Sequence, residues 1–139
     1  MAAHLYPSDE AGRDFIMRGF EGPVMMLNLL KLRDVADYAD YPELAGDGPI
    51  SGRAAYARYI DHTIPFLKES GGQIDLIADG GKWLIGPADE SWDLVLLIHQ
   101  SSVATFLAFE NNPDYMKGIG HRQTAIADSR LLPLSAQTA

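Results

Sequence analysis

Residues 24–32 read VMMLNLLKL, and residues 92–99 read WDLVLLIH. Each run is too short for an amphipathic helix and is apolar on both alternating faces, the pattern of a strand buried from two sides. Two such strands mark the centre of a sheet. The rest of the chain is read outward from them.

Upstream, Pro7-Ser8-Asp9-Glu10 opens a short helix with acidic residues in its first turn, anchored by Phe15-Ile16 and ending near Gly19 or Gly22. Downstream of the first strand, Asp34, Asp37, Asp40, Glu43 and Asp47 form an acidic loop. Their spacing is not that of a calcium loop, so they read as a solvated surface segment. Ser51 then caps a helix from Gly52 to Ser70, closed by Gly71-Gly72, in which Pro65 predicts a kink. QIDLIAD follows, then a bulge at Gly80-Gly81, KWLIG, a turn at GPADES and WDLVLLIH, read together as two antiparallel strands. Ser102 caps VATFLAFE, which stops before Asn112-Pro113, and a second helical stretch spans about Asp114 to Ala127. Asp128-Ser129 turns the chain into a final strand, Arg130 to Leu134, whose Pro133 favours a sheet edge.

The order strand, helix, strand, strand, helix, strand is the split βαβ pattern of an α+β, ferredoxin-like fold, here with an extra N-terminal helix. Residues 1–139 are expected to form one domain. In that fold the first and third strands are central, which matches the two doubly apolar runs. Helices cover only one face of such a sheet. The other face needs a cover, and a second copy packed sheet to sheet supplies one, so a homodimer is expected.

Composition removes several chemistries. The absence of cysteine excludes disulfides, thiolate nucleophiles and cysteine metal sites. A net charge of −8 repels phosphate backbones and anionic lipid, so neither nucleic acid nor membrane is an expected partner. The N-terminus has no basic segment followed by an apolar core, and a cytoplasmic location is the default. His4, His62, His99 and His121 lack metal-ligand spacing, so no metal site is expected. No G-x-G-x-x-G after a strand, phosphate-binding loop or G-x-S-x-G is present, and no nucleotide cofactor is expected.

What remains is polarity on inward helical faces. On the last helix, Tyr115, Ile119, Arg122 and Ile126 fall in one stripe with His121 at its edge. Arginine cannot lose its charge there, so Arg122 needs a carboxylate or a set of acceptors, supplied by the protein, as by Asp93 or Asp128, or by a ligand. The helix from Gly52 turns Tyr56, Tyr59, Ile60, Thr63 and Leu67 inward. Asn28, in the middle of the first strand, also needs a partner, and alternation alone leaves its face open. If Asn28 faces the helices, it can share one pocket with Tyr56, Tyr59, Thr63, His121 and Arg122. His121 is then the proton carrier, its ordinary pKa near 6.5 suiting neutral pH, and Arg122 holds an anionic or enolate oxygen.

PVMMLNLLKLR, SGRAAYARY, LIGPADESWDLVLL, NNPDYMKGIGHR and DSRLLPL together resemble the domain-of-unknown-function family numbered 1330, a branch of the dimeric α/β-barrel superfamily. The resemblance runs from about Pro7 to Leu134. It implies ferredoxin-like subunits paired sheet to sheet, and carries Asn28, Tyr56, Tyr59, Trp92, Asp93, His121 and Arg122 as candidate site residues without assigning them a reaction. Relatives of this fold include cofactor-free monooxygenases, muconolactone-type isomerases and ligand-binding proteins, and fold alone does not choose among them. The expectation is a dimeric small-molecule protein, working on a carbonyl or phenolic substrate by proton transfer, isomerisation or oxidation. The alternative is a dimer in which the same polar residues only bind a ligand or knit the structure together.

Overall fold

A computed structural model of the chain describes residues 3–137. Helix α1 (Asp9–Met17) begins where the Ser8 hydroxyl accepts the Ala11 N–H, one of the donors a helix start leaves open. Strand β1 (Val24–Leu32) leads into the acidic segment, which holds one 3-10 turn at Pro42–Leu44. Helix α2 (Gly52–Glu69) starts on Ser51, whose hydroxyl accepts the Ala54 N–H, and Pro65 lies inside it. Strands β2 (Gln73–Lys82) and β3 (Ser91–Gln100) form a hairpin, and α3 (Val103–Glu110) follows with a reciprocal Ser102–Thr105 capping box. Short helices α4 (Pro113–Met116) and α5 (Ile119–Ala125) then lead into β4 (Ile126–Leu134).

The sheet is antiparallel throughout, in the order β2-β3-β1-β4, so β1 and β3 are central as their apolar patterns require. This is the ferredoxin-like α+β arrangement. Burial alternates along β1, with Val24, Met26, Asn28 and Leu30 under the helices and Met25, Leu27 and Leu29 on the opposite face. Asn28 therefore faces the helix layer, where Nδ2 donates to the Met26 carbonyl at 3.1 Å. Leu30, Leu94, Leu96, Ala55, Tyr56, Tyr59, Leu67, Phe109 and Tyr115 build the core between sheet and helices.

The opposite face has its own order. Leu132, Leu27, Leu97 and Leu76 are direct cross-strand partners, giving a row of leucines that crosses all four strands. Leu27 and Leu97 are half-buried, while Leu76 and Leu132 are 49% and 54% exposed.

Three sequence expectations need correction. The bulge lies between Ile74 and Leu76 and not at Gly80-Gly81, through which β2 runs unbroken. A Cβ at Gly80 would stand 2.4 Å from the Trp92 carbonyl oxygen, so that glycine serves close strand approach. Residues 83–86 extend no strand but form the hairpin loop, with Leu84 and Ile85 almost wholly exposed. The last helical stretch is two pieces broken near Gly118, and the chain passes from Ala125 directly into β4 with no turn at Asp128-Ser129. Ile126 is thus a strand residue, fully buried. The strand periodicity there was masked by Asp128, which accepts the His4 and Ser129 N–H groups and pairs with Arg130.

Candidate functional site

Four helices bring one polar cluster together. Tyr56 and Tyr59 come from the inward stripe of α2, Tyr115 from α4, Arg122 from α5 and Glu110 from the end of α3. Tyr59 and Tyr115 share a buried hydrogen bond of 2.7 Å, and Tyr56 packs on Tyr59 with ring centroids 5.3 Å apart. Burial raises the pKa of all three phenols, so they remain neutral hydroxyls. Thr63, buried a turn further along α2, makes no hydrogen bond through its hydroxyl.

Arg122 is half-buried in this company. The ion pairs among the described residues are Arg53–Asp79, Lys117–Asp114 and Arg130–Asp128, and Arg122 belongs to none of them. Neither internal partner considered from sequence takes it. Asp128 is occupied by His4, Ser129 and Arg130, and Asp93 Oδ2 accepts the Leu32 N–H at 2.8 Å. The carboxylate that does share its environment is Glu110, whose pKa burial raises and Arg122 lowers. Glu110 was invisible in sequence because it closes a helix of almost uniformly apolar residues and has no motif around it.

His121 stands beside Arg122 in sequence but meets a different partner. Its Nδ1 and the Tyr38 hydroxyl share a 2.7 Å hydrogen bond, drawing the acidic segment against α5. The backbone adds Asp37 N–H to the Thr124 carbonyl at 3.0 Å, and Tyr41 and Leu44 close over Gly120. The acidic segment is therefore docked on the site helix. His62 Nε2–H donates to the carbonyls of Asp114 and Tyr115 at 2.9 and 3.2 Å, tying α2 to α4.

Burial holds His121 below the ordinary imidazole pKa, and the nearby positive charges of Arg58 and His62 act in the same direction. A base depressed in the folded state is protonated first in the unfolded chain, so stability is complete above about pH 6.5 and declines as pH falls through that value. The expected result is a shallower loss of stability between about pH 7.5 and 5.5 in His121→Asn than in the parent. Urea melts across that range measure it. Equal slopes would contradict the depressed value. Glu110 contributes with the opposite sign in both proteins, because a raised carboxyl pKa relieves the fold on acidification.

Trp92 and Asp93 are not linked to this cluster. The Trp92 ring lies under the Arg130 guanidinium, 4.9 Å from its centroid, and its indole N–H is buried without a partner. Asp93 lines a polar cleft of about 240 Å³ with Leu32, Arg33, Asp34, Ser51 and Arg53. A second, apolar cleft of about 220 Å³ runs between α2 and the sheet, lined by Tyr56, Ala57, Ile60, Ile77 and Leu94. Only Tyr56 joins either cleft to the cluster, and His121 and Arg122 line neither. No group of histidine and carboxylate side chains with metal-binding proximity occurs among the described residues, and no helix there is long and apolar enough to cross a membrane.

The fold extends to a solved relative. A protein of unknown function from Rhodopseudomonas palustris, RPA0582, is 35% identical, with 99% of this chain and 100% of that chain covered at a TM-score of 0.86. This chain belongs to the RPA0582 family. Other similar structures share the RPA0582 family's fold at low identity. A dimeric ferredoxin-like protein of unknown function from Bacteroides fragilis is 14% identical, covering 84% of this chain and 99% of its own, with a TM-score of 0.51. SnoaB, a cofactor-independent oxygenase from Streptomyces nogalater, is 13% identical, covering 86% and 97%, with a TM-score of 0.50. No protein-family model and no curated protein matches the chain.

Proposed function

We propose that this protein binds a small molecule in its helix layer around Arg122, and that it acts there without a cofactor on a carbonyl or phenolic substrate. The observation that carries the reading is a half-buried arginine that belongs to no ion pair among the described residues and whose charge is felt by the buried, neutral phenols of Tyr56 and Tyr115. A permanent charge that closes no ion pair among the described residues supplies an anchor for an anionic or enolate oxygen. Tyr56 and Tyr59 orient the substrate, Asn28 polarises it from the sheet, and His121 moves the proton at the margin of α5. Proton transfer, isomerisation and oxidation are the reaction types this set serves. The motifs noted in the sequence support placing the RPA0582 family within the domain of unknown function numbered 1330.

The second copy belongs to the same reading. A leucine row across the sheet, with no helix above it, is the apolar surface a two-fold partner covers. The dimeric description of the Bacteroides fragilis structure supports this assignment.

4-Nitrophenolate is a direct probe, because its anionic oxygen and colour report binding by absorbance. The parent is expected to bind it saturably, Arg122→Met to bind at least about tenfold more weakly, and His121→Ala to fold normally with altered binding. Binding unaffected by both substitutions, with stability lost instead, would assign these residues to the structure alone.

A further inference from the structure

The hairpin of β2 and β3 gathers apolar side chains that its own subunit leaves in water. Leu76 and Ile77 on β2 are half-exposed, and past the strand end Trp83 is partly exposed, Ile85 nearly wholly and Leu84 wholly. A hairpin loop free of partners is served by glycine, proline and short polar residues, which follow here from Gly86-Pro87 to Asp89. Leucine and isoleucine have no part in making such a turn.

The loop is nonetheless held in place. The Trp83 indole N–H donates to Glu90 Oε2 at 2.8 Å and the Glu90 N–H to the Pro87 carbonyl at 3.3 Å. A Cβ on Gly86 would stand 2.5 Å from the Trp83 ring, so the indole lies against that glycine. Trp83 braces the loop from within, and Leu84 and Ile85 are presented outward on a fixed frame. β3 is paired with β1 as far as Leu30–Leu94, beyond which the Asp93 carboxylate takes the Leu32 N–H, while β2 and β3 stay paired to Lys82–Ser91. The hairpin therefore ends as a two-stranded ribbon, and such a ribbon with a bare apolar tip is marginal in water by itself. A fixed apolar projection of this kind marks a contact surface.

The same hairpin supplies Leu76 and Leu97 to the leucine row, so its base belongs to the face a second copy covers and its tip extends from that face. Charge disfavours an anionic lipid surface as the occupant: Lys82 beside the tip is outnumbered by Asp79, Asp89 and Glu90, in a chain of net charge −8. A two-fold copy also makes the contact reciprocal, each hairpin reaching the other subunit once.

We infer that the Trp83–Glu90 loop is an arm that clasps a second copy of this chain, burying Leu84 and Ile85 at the edge of the paired sheets. The inference rests on the sheet-to-sheet pairing proposed above and adds to it a contact that the leucine row does not contain.

Sedimentation equilibrium of the full chain and of Leu84→Ser/Ile85→Ser tests the arm. Both side chains lie in water within one subunit, so the variant is expected to keep the parent's circular dichroism. Its dimer is expected to dissociate at least about tenfold more readily, the consequence of truncating two aliphatic side chains that association buries. Because the chain has no cysteine, Leu84→Cys carries a single thiol. That thiol is expected to react with a maleimide at least about tenfold more slowly in the dimer than when Leu97→Glu is also present to separate the subunits. Unchanged dissociation in Leu84→Ser/Ile85→Ser, or a thiol equally reactive in both states, would overturn the arm and leave the sheet pairing standing. A thiol shielded by phosphatidylcholine vesicles and not by dimer formation would also overturn it, assigning the tip to a lipid surface. A parent that is monomeric, or a Leu97→Glu chain that stays dimeric, would remove the sheet pairing and the arm with it.

Discussion

Gly52→Ala should destabilise the fold by about 3 kcal/mol or more, the upper range for forcing atoms into a packed interior. A Cβ at this position would lie 2.2 Å from the Arg33 carbonyl oxygen and 2.8 Å from both the Arg33 nitrogen and the Ala125 carbonyl oxygen. All three are backbone atoms, so no side chain can rotate away. The Gly52 N–H also donates to the Arg33 carbonyl at 3.0 Å, and the Arg33 N–H to the Ala125 carbonyl at 2.8 Å. The end of β1, the start of α2 and the end of α5 thus meet on the bare backbone of one residue. Since α2 and α5 carry Tyr56, Tyr59 and Arg122, the same substitution is expected to loosen the site. Urea unfolding measures the loss, and a change below about 1 kcal/mol would show that the three segments can part without cost.

Leu97→Glu is expected to weaken self-association by at least about a hundredfold while leaving the subunit folded. Leu97 sits in the middle of the cross-strand row Leu132, Leu27, Leu97, Leu76, on the face away from the helices, and is only half-buried within one chain. A carboxylate there remains solvated in the isolated subunit. In a sheet-to-sheet dimer it is buried among leucines and repeated by the two-fold. Sedimentation at micromolar concentration should give a mass near twice 15.2 kDa for the parent and near 15.2 kDa for the variant. A parent that sediments as a monomer, or a variant that remains dimeric, would contradict the assignment of this face.

Much of the frame was legible because each segment carried its own physical signal. VMMLNLLKL could only be a central strand, and the Ser51 cap and inward tyrosine stripe located α2 and its buried face. Asn28 was ambiguous for a physical reason: with apolar residues on both sides, its strand offers no polar face to set the register. Pairing with β3 and β4 decided it. The passage from α5 to β4 was misread because Gly118 breaks the helix early and Asp128 sits inside a strand as a hydrogen-bond acceptor. Tyr38 and Glu110 were missed altogether. They reach the site through tertiary packing, across 83 residues in the case of Tyr38 and His121, and no local spacing records such a meeting.

The central claim is that Arg122 is kept for a ligand and not for the fold. Comparing the urea unfolding of the parent and Arg122→Met in the absence of ligand tests it most directly. Methionine fills similar space and carries no charge, so removing an unpaired half-buried guanidinium should leave stability unchanged or raise it by up to about 1–2 kcal/mol. A loss of about 2 kcal/mol or more would mean that Arg122 holds the helices together, and the site proposed around it would lose its foundation.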